Sequence, residues 1–305
     1  MMKVIGITGG TGFIGKNLLR LLQSNGNEVI IFTRHPERKK PGPHIRYAHW
    51  DPRHNKIDLS ALKQLDAVVH LAGAGIADKR WTKKRKKEIA DSRIKATNFL
   101  VSQLRNYAPR CKALIAASAI GYYGPDKKGH IFSETDTPHN DFLAKVCIGW
   151  EKASMSANDF LRVVILRNGI VLGNNGGAFP KFVKPTSFCV LPILGSGRQV
   201  VSWIHIADHI RLVETALQDE TFNGIYNAVS PNPVSYKKLM LAIAHKRKGF
   251  RIRFRVPALL LKTALGEVSK EVTKSITASC DKLQHKGFSF QYPTITKAVE
   301  DLMPQ

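Results

Sequence analysis

Residues 8–15 read TGGTGFIG, and their glycines recur as Gly10-x-Gly12-x-x-Gly15 and as Gly9-x-x-Gly12-x-x-Gly15. Glycine at this spacing allows a tight turn, close backbone approach to a pyrophosphate, and packing of the next helix on the preceding strand. The free N–H groups and partial positive charge of that helix terminus suit an anion. Gly9, Thr11, Gly12, Phe13, Ile14 and Gly15 are therefore expected to cradle a dinucleotide. Residues 10–17, GTGFIGKN, approach a P-loop, but Asn17 stands where a magnesium-binding hydroxyl is needed. A tight turn without a ligand is the plain alternative.

Residues 28–33, EVIIFT, read as a second strand, and Thr33-Arg34 follow at its end. An acid there would accept from the ribose 2′-hydroxyl of NAD. Arginine cannot accept, but it suits a 2′-phosphate through charge-assisted bonds. NADP is the expected cofactor, against the plain reading of Arg34 as a surface arginine. GSGRQ at 195–199 is either a second phosphate cradle or a glycine-rich turn. His205 and His209 stand four apart, as on a zinc helix, but the glutamate of that motif and a third ligand are missing. Cys111, Cys147, Cys189 and Cys280 lack paired spacing and read as reduced thiols, so no metal is expected.

These residues need elements to hold them. Strand-like runs at 3–8, 28–33, 45–50, 66–73, 112–118 and 161–171 alternate with helical patterns. A helix follows the glycine loop, a long basic one spans 81–107 before Pro109, and another covers 141–158. This alternation predicts an α/β fold with a doubly wound parallel Rossmann sheet. Residues 172–205 are rich in Gly and Pro and read as loops. A helix at 206–219 and a strand at 224–229 follow, then a mostly helical stretch with an extended piece at 250–256. The expected division is a Rossmann domain over 1–230, with insertions at 120–145 and 172–205 on the substrate side, and a C-terminal lobe over 231–305.

The chain has 305 residues, 43% hydrophobic, and a formal charge of +24. That allows a sizeable core. No apolar run approaches the roughly 18–20 residues of a membrane span. No leader-like pattern precedes the first strand, so a cytoplasmic location without a membrane partner is expected. The basic residues are spread along the chain, with one dense run at 79–87. Aromatic residues are not interleaved with them as a stacking platform requires, which disfavours nucleic acid and favours anionic small molecules.

TGGTGFIG, HLAG (70–73) and SAIGYYG (118–124) together resemble the extended short-chain dehydrogenase/reductases of the epimerase/dehydratase superfamily. RWTKKRKKEIADSR (80–93), LRNGIVLG (166–173), GGAF (176–179), GSGRQVVSWIHIAD (195–208) and GFSFQYP (287–293) extend the likeness to its atypical, epimerase-like subfamily with a C-terminal region of unknown function. The resemblance implies an NADP-binding Rossmann domain with a small substrate lobe. It adds Leu71, Ala72, Glu88, Arg93 and Val171 to the cofactor contacts. Where the subfamily carries an acid and a proline after HLAG, this chain has Ala74-Gly75.

The family's usual catalytic helix carries Tyr-x-x-x-Lys. In FLAKVCIGWE (142–151), aligned on Glu151, those places hold Leu143 and Cys147. The resemblance then leaves Ser118, which would polarise a substrate carbonyl, and Tyr122 or Tyr123, of which Tyr123 is the candidate general acid. Tyr123 reads equally as a buried loop anchor, and Cys147 as a small buried hydrophobe. The expected activity is an NADP(H)-dependent oxidoreductase or epimerase acting on a carbonyl or alcohol of a small molecule. The alternative is a non-catalytic NADP-binding sensor or scaffold.

Overall fold

The computed structural model describes residues 3–126, 129–247 and 252–304. Its first half is built from β1 (Val4–Thr8), α1 (Phe13–Ser24), β2 (Glu28–Thr33), β3 (Ile45–Asp51), β4 (Lys56–Ile57), α2 (Leu59–Leu62), β5 (Ala67–His70), α3 (Lys83–Asp91), α4 (Ile94–Tyr107), β6 (Ala113–Ala119), α5 (Phe142–Met155) and β7 (Arg162–Asn168). Then come β8 (Ile170–Gly173), β9 (Gly176–Gly177), α6 (Phe179–Val183), β10 (Val190–Leu194), β11 (Val200–Val201), β12 (Trp203–His205), α7 (Ile206–Gln218) and β13 (Gly224–Ala228). The remainder supplies β14 (Val234–Ser235), α8 (Tyr236–Arg247), β15 (Ile252–Val256), α9 (Ala258–Leu265), α10 (Val268–Thr273), α11 (Asp281–His285) and α12 (Ile295–Leu302).

The main sheet has eight strands in the order β13-β7-β6-β5-β1-β2-β3-β4, all parallel except the β3–β4 pair. This is the expected doubly wound Rossmann sheet. Side chains alternate between its faces. Ile5, Ile7, Val29 and Ile31 join Leu18 and Leu22 of α1 and Leu212, Val213 and Ala216 of α7 on one side. Ile30, Phe32, Val68 and Leu114 meet Leu100, Val101 and Leu104 of α4 on the other. Burial on both faces explains why these strands read as continuous apolar runs.

Three expectations change. The basic helix at 81–107 is two helices, broken at Ser92-Arg93. Ser92 Oγ donates to the Ile89 carbonyl and accepts from the Ala74 N–H, both at 3.0 Å, and Arg93 turns its guanidinium onto the Ala74 carbonyl at 2.9 Å. The strand at 161–171 leaves the main sheet at Gly169, where a Cβ would lie 2.6 Å from the Ser202 carbonyl oxygen. Beyond that point β8 pairs with β12 instead. Residues 172–205 are not simply loops: β10 pairs with β15, and β11 with β14. Positions 250 and 251 of the predicted extended piece lie outside the described residues.

The end of the chain returns to the sheet. Buried Asp208 accepts from the Gln291 and Tyr292 backbone N–H groups at 2.8 and 2.9 Å, which fixes the GFSFQYP segment against α7.

Candidate dinucleotide and substrate site

The glycine loop sits between β1 and α1. Gly9 has φ +72°, and a Cβ on it would lie 2.8 Å from the Leu71 carbonyl carbon. At Gly15 a Cβ would lie 2.5 Å from both the Gly10 Cα and the Gly9 carbonyl oxygen. The turn therefore closes only without side chains. Gly12 caps α1 with no side-chain acceptor, and the first turn carries no acid. The first helical bond runs from Lys16 N to Gly12 O at 3.0 Å. The N–H groups of Phe13, Ile14 and Gly15 thus face outward without helical partners, an anion cradle by construction.

Below the loop, His70 spans Thr8 Oγ1 at 2.6 Å and Thr97 Oγ1 at 2.9 Å. Complete burial lowers its pKa to about 4, so the ring is a neutral tie between β1, β5 and α4. Asn17 donates to the Phe13 carbonyl at 2.8 Å and to Asn175 Oδ1 at 3.4 Å. The residue that spoils the P-loop pattern thus links α1 to the β8–β9 hairpin. The Phe13 ring lies against Gly173, Gly176 and Gly177 of that hairpin, where added Cβ atoms would come within 2.5, 2.7 and 3.0 Å of it.

Thr33 ends β2, and Arg34 beyond it is exposed. Arg34 has no ion pair or hydrogen bond among the described residues; its charge helps hold the Asp51 carboxyl below the usual range, a shift led by the hydrogen bond from His54. Leu71 and Ala72 follow β5, with the Leu71 N–H on the Thr8 carbonyl at 3.1 Å. Glu88 bridges Arg85 at 2.7 Å and Arg53 at 3.1 Å, and Arg85 in turn binds the Gly75 carbonyl. Arg93 stacks on Trp150 at 5.1 Å and lies against Gly73. Glu88 and Arg93 therefore shape the loop after β5. Val171 stands on β8, level with Ile204 of β12.

A model of the NAD dependent epimerase/dehydratase family matches residues 5–228. The chain belongs to this family. A second model, a domain of unknown function (DUF1731), matches residues 256–302. An epimerase family protein of Staphylococcus saprophyticus is 36% identical over 304 residues, covering 99% of this chain and all of that one. The human epimerase family protein SDR39U1, solved with NADPH, superposes with a TM-score of 0.83 at 26% identity and 98% coverage of both chains. A nucleoside-diphosphate sugar epimerase from Corynebacterium glutamicum gives 0.79 at 30% identity, over 99% of this chain and 58% of that longer one.

Within this epimerase-family chain, the place of the usual tyrosine and lysine is filled with apolar contacts. Leu143 and Cys147 are buried on α5, and burial pushes the Cys147 thiol up to about 12. It is packed as a small buried side chain, and that burial disfavours the thiolate. Polar chemistry moves one turn along the helix, to Glu151. Ser118 Oγ donates to Glu151 Oε1 at 2.6 Å. Arg167 forks onto the same carboxylate, Nε to Oε1 at 2.9 Å and Nη2 to Oε2 at 2.8 Å.

Arg167 Nη1 also donates to the Tyr123 hydroxyl at 2.8 Å, and that hydroxyl donates to Asn227 Oδ1 at 2.7 Å. Tyr123 is buried and stacked on Phe132, and burial pushes its pKa up to about 12. Of its two sequence readings, this geometry fits the anchor's part, since its hydroxyl donates to Asn227 Oδ1. Tyr122, partly exposed, lays its ring 3.5 Å from the Arg167 guanidinium.

His205 and His209 are used separately. His205 Nδ1 accepts from the Ala207 N–H at 3.1 Å, as the cap of α7, and His209 Nε2 meets Asn168 Oδ1 at 2.7 Å. Arg198 is exposed on the 195–199 turn, where its N–H bonds Ser196 Oγ at 3.2 Å. The sequence reading missed the ties made by Arg85, Trp150 and Asn227. Their partners lie 10 to 104 positions away in the chain, and no local spacing announces them.

Proposed function

We propose that this protein is an NADP(H)-dependent oxidoreductase or epimerase, acting on a carbonyl or alcohol of a small molecule, with nucleotide-linked sugars as the first class to screen. The observation that carries the reading is the uncapped N-terminus of α1, facing a glycine-rich turn, with Arg34 at the adjacent strand end unpaired among the described residues. The NADPH-bound human relative supports the cofactor. In this reading residues 1–230 hold the dinucleotide and 231–305 form the lobe on the substrate side.

When bound, the nicotinamide ring supplies or accepts a hydride. The N–H groups of residues 13–15 hold the pyrophosphate, Arg34 with Thr33 holds the 2′-phosphate, and the 71–75 loop, braced by Arg85 and Arg93, lines the ribose side. Ser118 keeps its proton and donates a hydrogen bond to Glu151, so its oxygen can accept one from a substrate hydroxyl. Tyr123 positions Arg167, and Arg167 positions Glu151. The alternative of a non-catalytic sensor draws on Leu143 and Cys147 standing where the tyrosine and lysine belong. NADPH oxidation across a panel of carbonyl compounds separates the two readings: tight NADPH binding with no turnover on any compound favours the sensor.

Losing a charge-assisted contact costs about 1.5–3 kcal/mol, or roughly ten- to hundredfold in affinity. NADPH should therefore bind at least about tenfold tighter than NADH, and Arg34→Asp should erase the preference. Fluorescence titration of both cofactors checks this, and equal affinities in the unmodified chain would remove the assignment.

Ser118→Ala should lower turnover roughly two- to tenfold through loss of one hydrogen bond to the substrate hydroxyl, with NADPH affinity unchanged. Tyr123→Phe should chiefly lower the melting temperature, because it leaves Asn227 Oδ1 without its donor and Arg167 Nη1 with only the Glu134 carbonyl to accept from it. A collapse of turnover in Tyr123→Phe without loss of stability, beside an active Ser118→Ala, would return the proton-transfer role to Tyr123.

A further inference from the structure

His209 is wholly buried on α7, and the chemistry proposed above does not use it. Its Nε2 stands 2.7 Å from Oδ1 of Asn168, the last residue of β7. An amide oxygen carries no proton, so Nε2 must donate. Nδ1 is then bare, and it has no partner among the described residues. The reverse amide placement would move the ring proton to Nδ1 and bury an N–H without an acceptor, which is rare in folded chains. Burial agrees: it keeps the ring neutral, with a pKa lowered to about 4. His209 therefore sets the amide of Asn168. The oxygen is turned to α7, so the nitrogen points elsewhere.

Asn168 Nδ2 has no partner among the described residues, and it is not closed off from solvent as His209 Nδ1 is. β7 lies between β6 and β13 in the sheet. Arg167 turns one way from it, onto Glu151 of α5, and Asn168 turns the other way, onto α7. Asn168 is level with Ala119 of β6, one residue beyond Ser118. The free amide nitrogen thus stands at the carboxyl edge of the sheet, where ligands of open α/β sheets bind.

The chain beyond Asn168 leads to the glycine turn. β8 carries Val171 and ends at Gly173, where Phe13 of α1 and Ile206 of α7 meet: a Cβ there would lie 2.5 Å from the Phe13 ring and 3.2 Å from Ile206. Residues 168–173 therefore run from the edge of β7 to the start of α1. β7 is three strand spacings from β1, about 14 Å. Crossing that distance from a held pyrophosphate takes a ribose and a ring. A nicotinamide ring carries a carboxamide, whose oxygen accepts from an amide nitrogen. We infer that Asn168, aimed by His209, donates to the carboxamide oxygen of the bound nicotinamide. His209 is a positioning residue, and Asn168 touches the cofactor. The inference rests on the reading of residues 9–15 as a dinucleotide cradle.

Isothermal titration calorimetry of the full chain tests it with NADP+, with 2′,5′-ADP, which lacks the ring and its ribose, and with the NADP+ analogue that has hydrogen in place of the carboxamide. One neutral hydrogen bond is worth about two- to tenfold in affinity. The unmodified chain should bind the analogue more weakly than NADP+ by roughly that two- to tenfold factor. Asn168→Leu should weaken NADP+ by a similar factor and leave 2′,5′-ADP unchanged. It should also bind NADP+ and the analogue alike, because one bond cannot be lost twice. His209→Leu should weaken NADP+ in the same direction, and His209→Gln, whose amide can donate to Asn168, should restore it. A merely structural role would shift 2′,5′-ADP along with NADP+.

Equal affinity of the unmodified chain for NADP+ and the analogue overturns the inference, and that comparison needs no variant to fold. So does an Asn168→Leu chain that holds NADP+ as tightly as the unmodified one, or that still prefers NADP+ to the analogue. Binding of neither NADP+ nor 2′,5′-ADP by the unmodified chain would remove the dinucleotide reading itself, and the inference with it. No arm depends on turnover.

Discussion

Arg167→Met should destabilise the protein by about 3–5 kcal/mol, the usual cost of leaving one partner of a buried ion pair without the other. Glu151 is buried, and its two oxygens accept both forks of Arg167 besides the Ser118 hydroxyl. Removing the guanidinium also strips a donor from Tyr123 and from the Glu134 carbonyl. At roughly 2–4 °C per kcal/mol for a large domain, the melting temperature should fall by about 10 °C. Glu151→Gln combined with Arg167→Met should recover part of the loss, because both charges then leave together. Scanning calorimetry of the two variants decides it. An unchanged melting temperature in Arg167→Met would show that the pair contributes nothing and that a neutral core would serve equally.

The second large effect is acid destabilisation through two histidines. His70 and His209 are wholly buried, and that burial lowers both pKa values from 6.5 to about 4. The unfolded chain takes these protons below about pH 6.5, whereas the folded chain resists them down to about pH 4. Between those limits the unfolded state binds more protons, so stability is complete above about 6.5 and falls as pH drops towards 4. Each shift is worth on the order of 3 kcal/mol. Carboxylates held low by hydrogen bonds, such as Asp51 and Asp141, act further down the scale. Urea unfolding across that window should show stability falling as the pH is lowered, and His209→Gln, which can still bond Asn168, should remove part of the dependence, the rest being left to His70 and to His205, whose pKa burial also lowers. A flat profile between pH 4 and 6.5 would contradict the neutral-ring picture.

Much of the dinucleotide half was legible because its signals are local. The strands β1, β2, β5 and β6 are uninterrupted apolar runs buried on both faces, and the glycine loop needs only eight consecutive residues to declare itself. The break at Gly169 was not legible. The atoms nearest a side chain there belong to Ser202 and Val229, from two other segments. β10, β11 and β12 escaped for a related reason. β11 and β12 are short, and the partners of all three, Ile252, Val234 and Ile170, come from elsewhere in the chain, so pairing that no alternation pattern encodes creates them. The same distance effect hid the partners of Tyr123, whose anchor reading the sequence did offer. A tyrosine beside a strand end invites a catalytic reading until Arg167 and Asn227 are seen to share its hydroxyl.

The fit of Phe13 among three hairpin glycines makes these positions interdependent in heredity. A side chain gained at 173 or 176 collides with the ring unless residue 13 shrinks in the same lineage. Shrinking it alone would open a void beside the turn proposed to hold the pyrophosphate. A drift in either place is therefore penalised until the other answers, so substitutions should arrive in matched pairs. The hairpin cannot diversify independently of the first turn of α1, although Phe13 and Gly173 lie far apart in the chain.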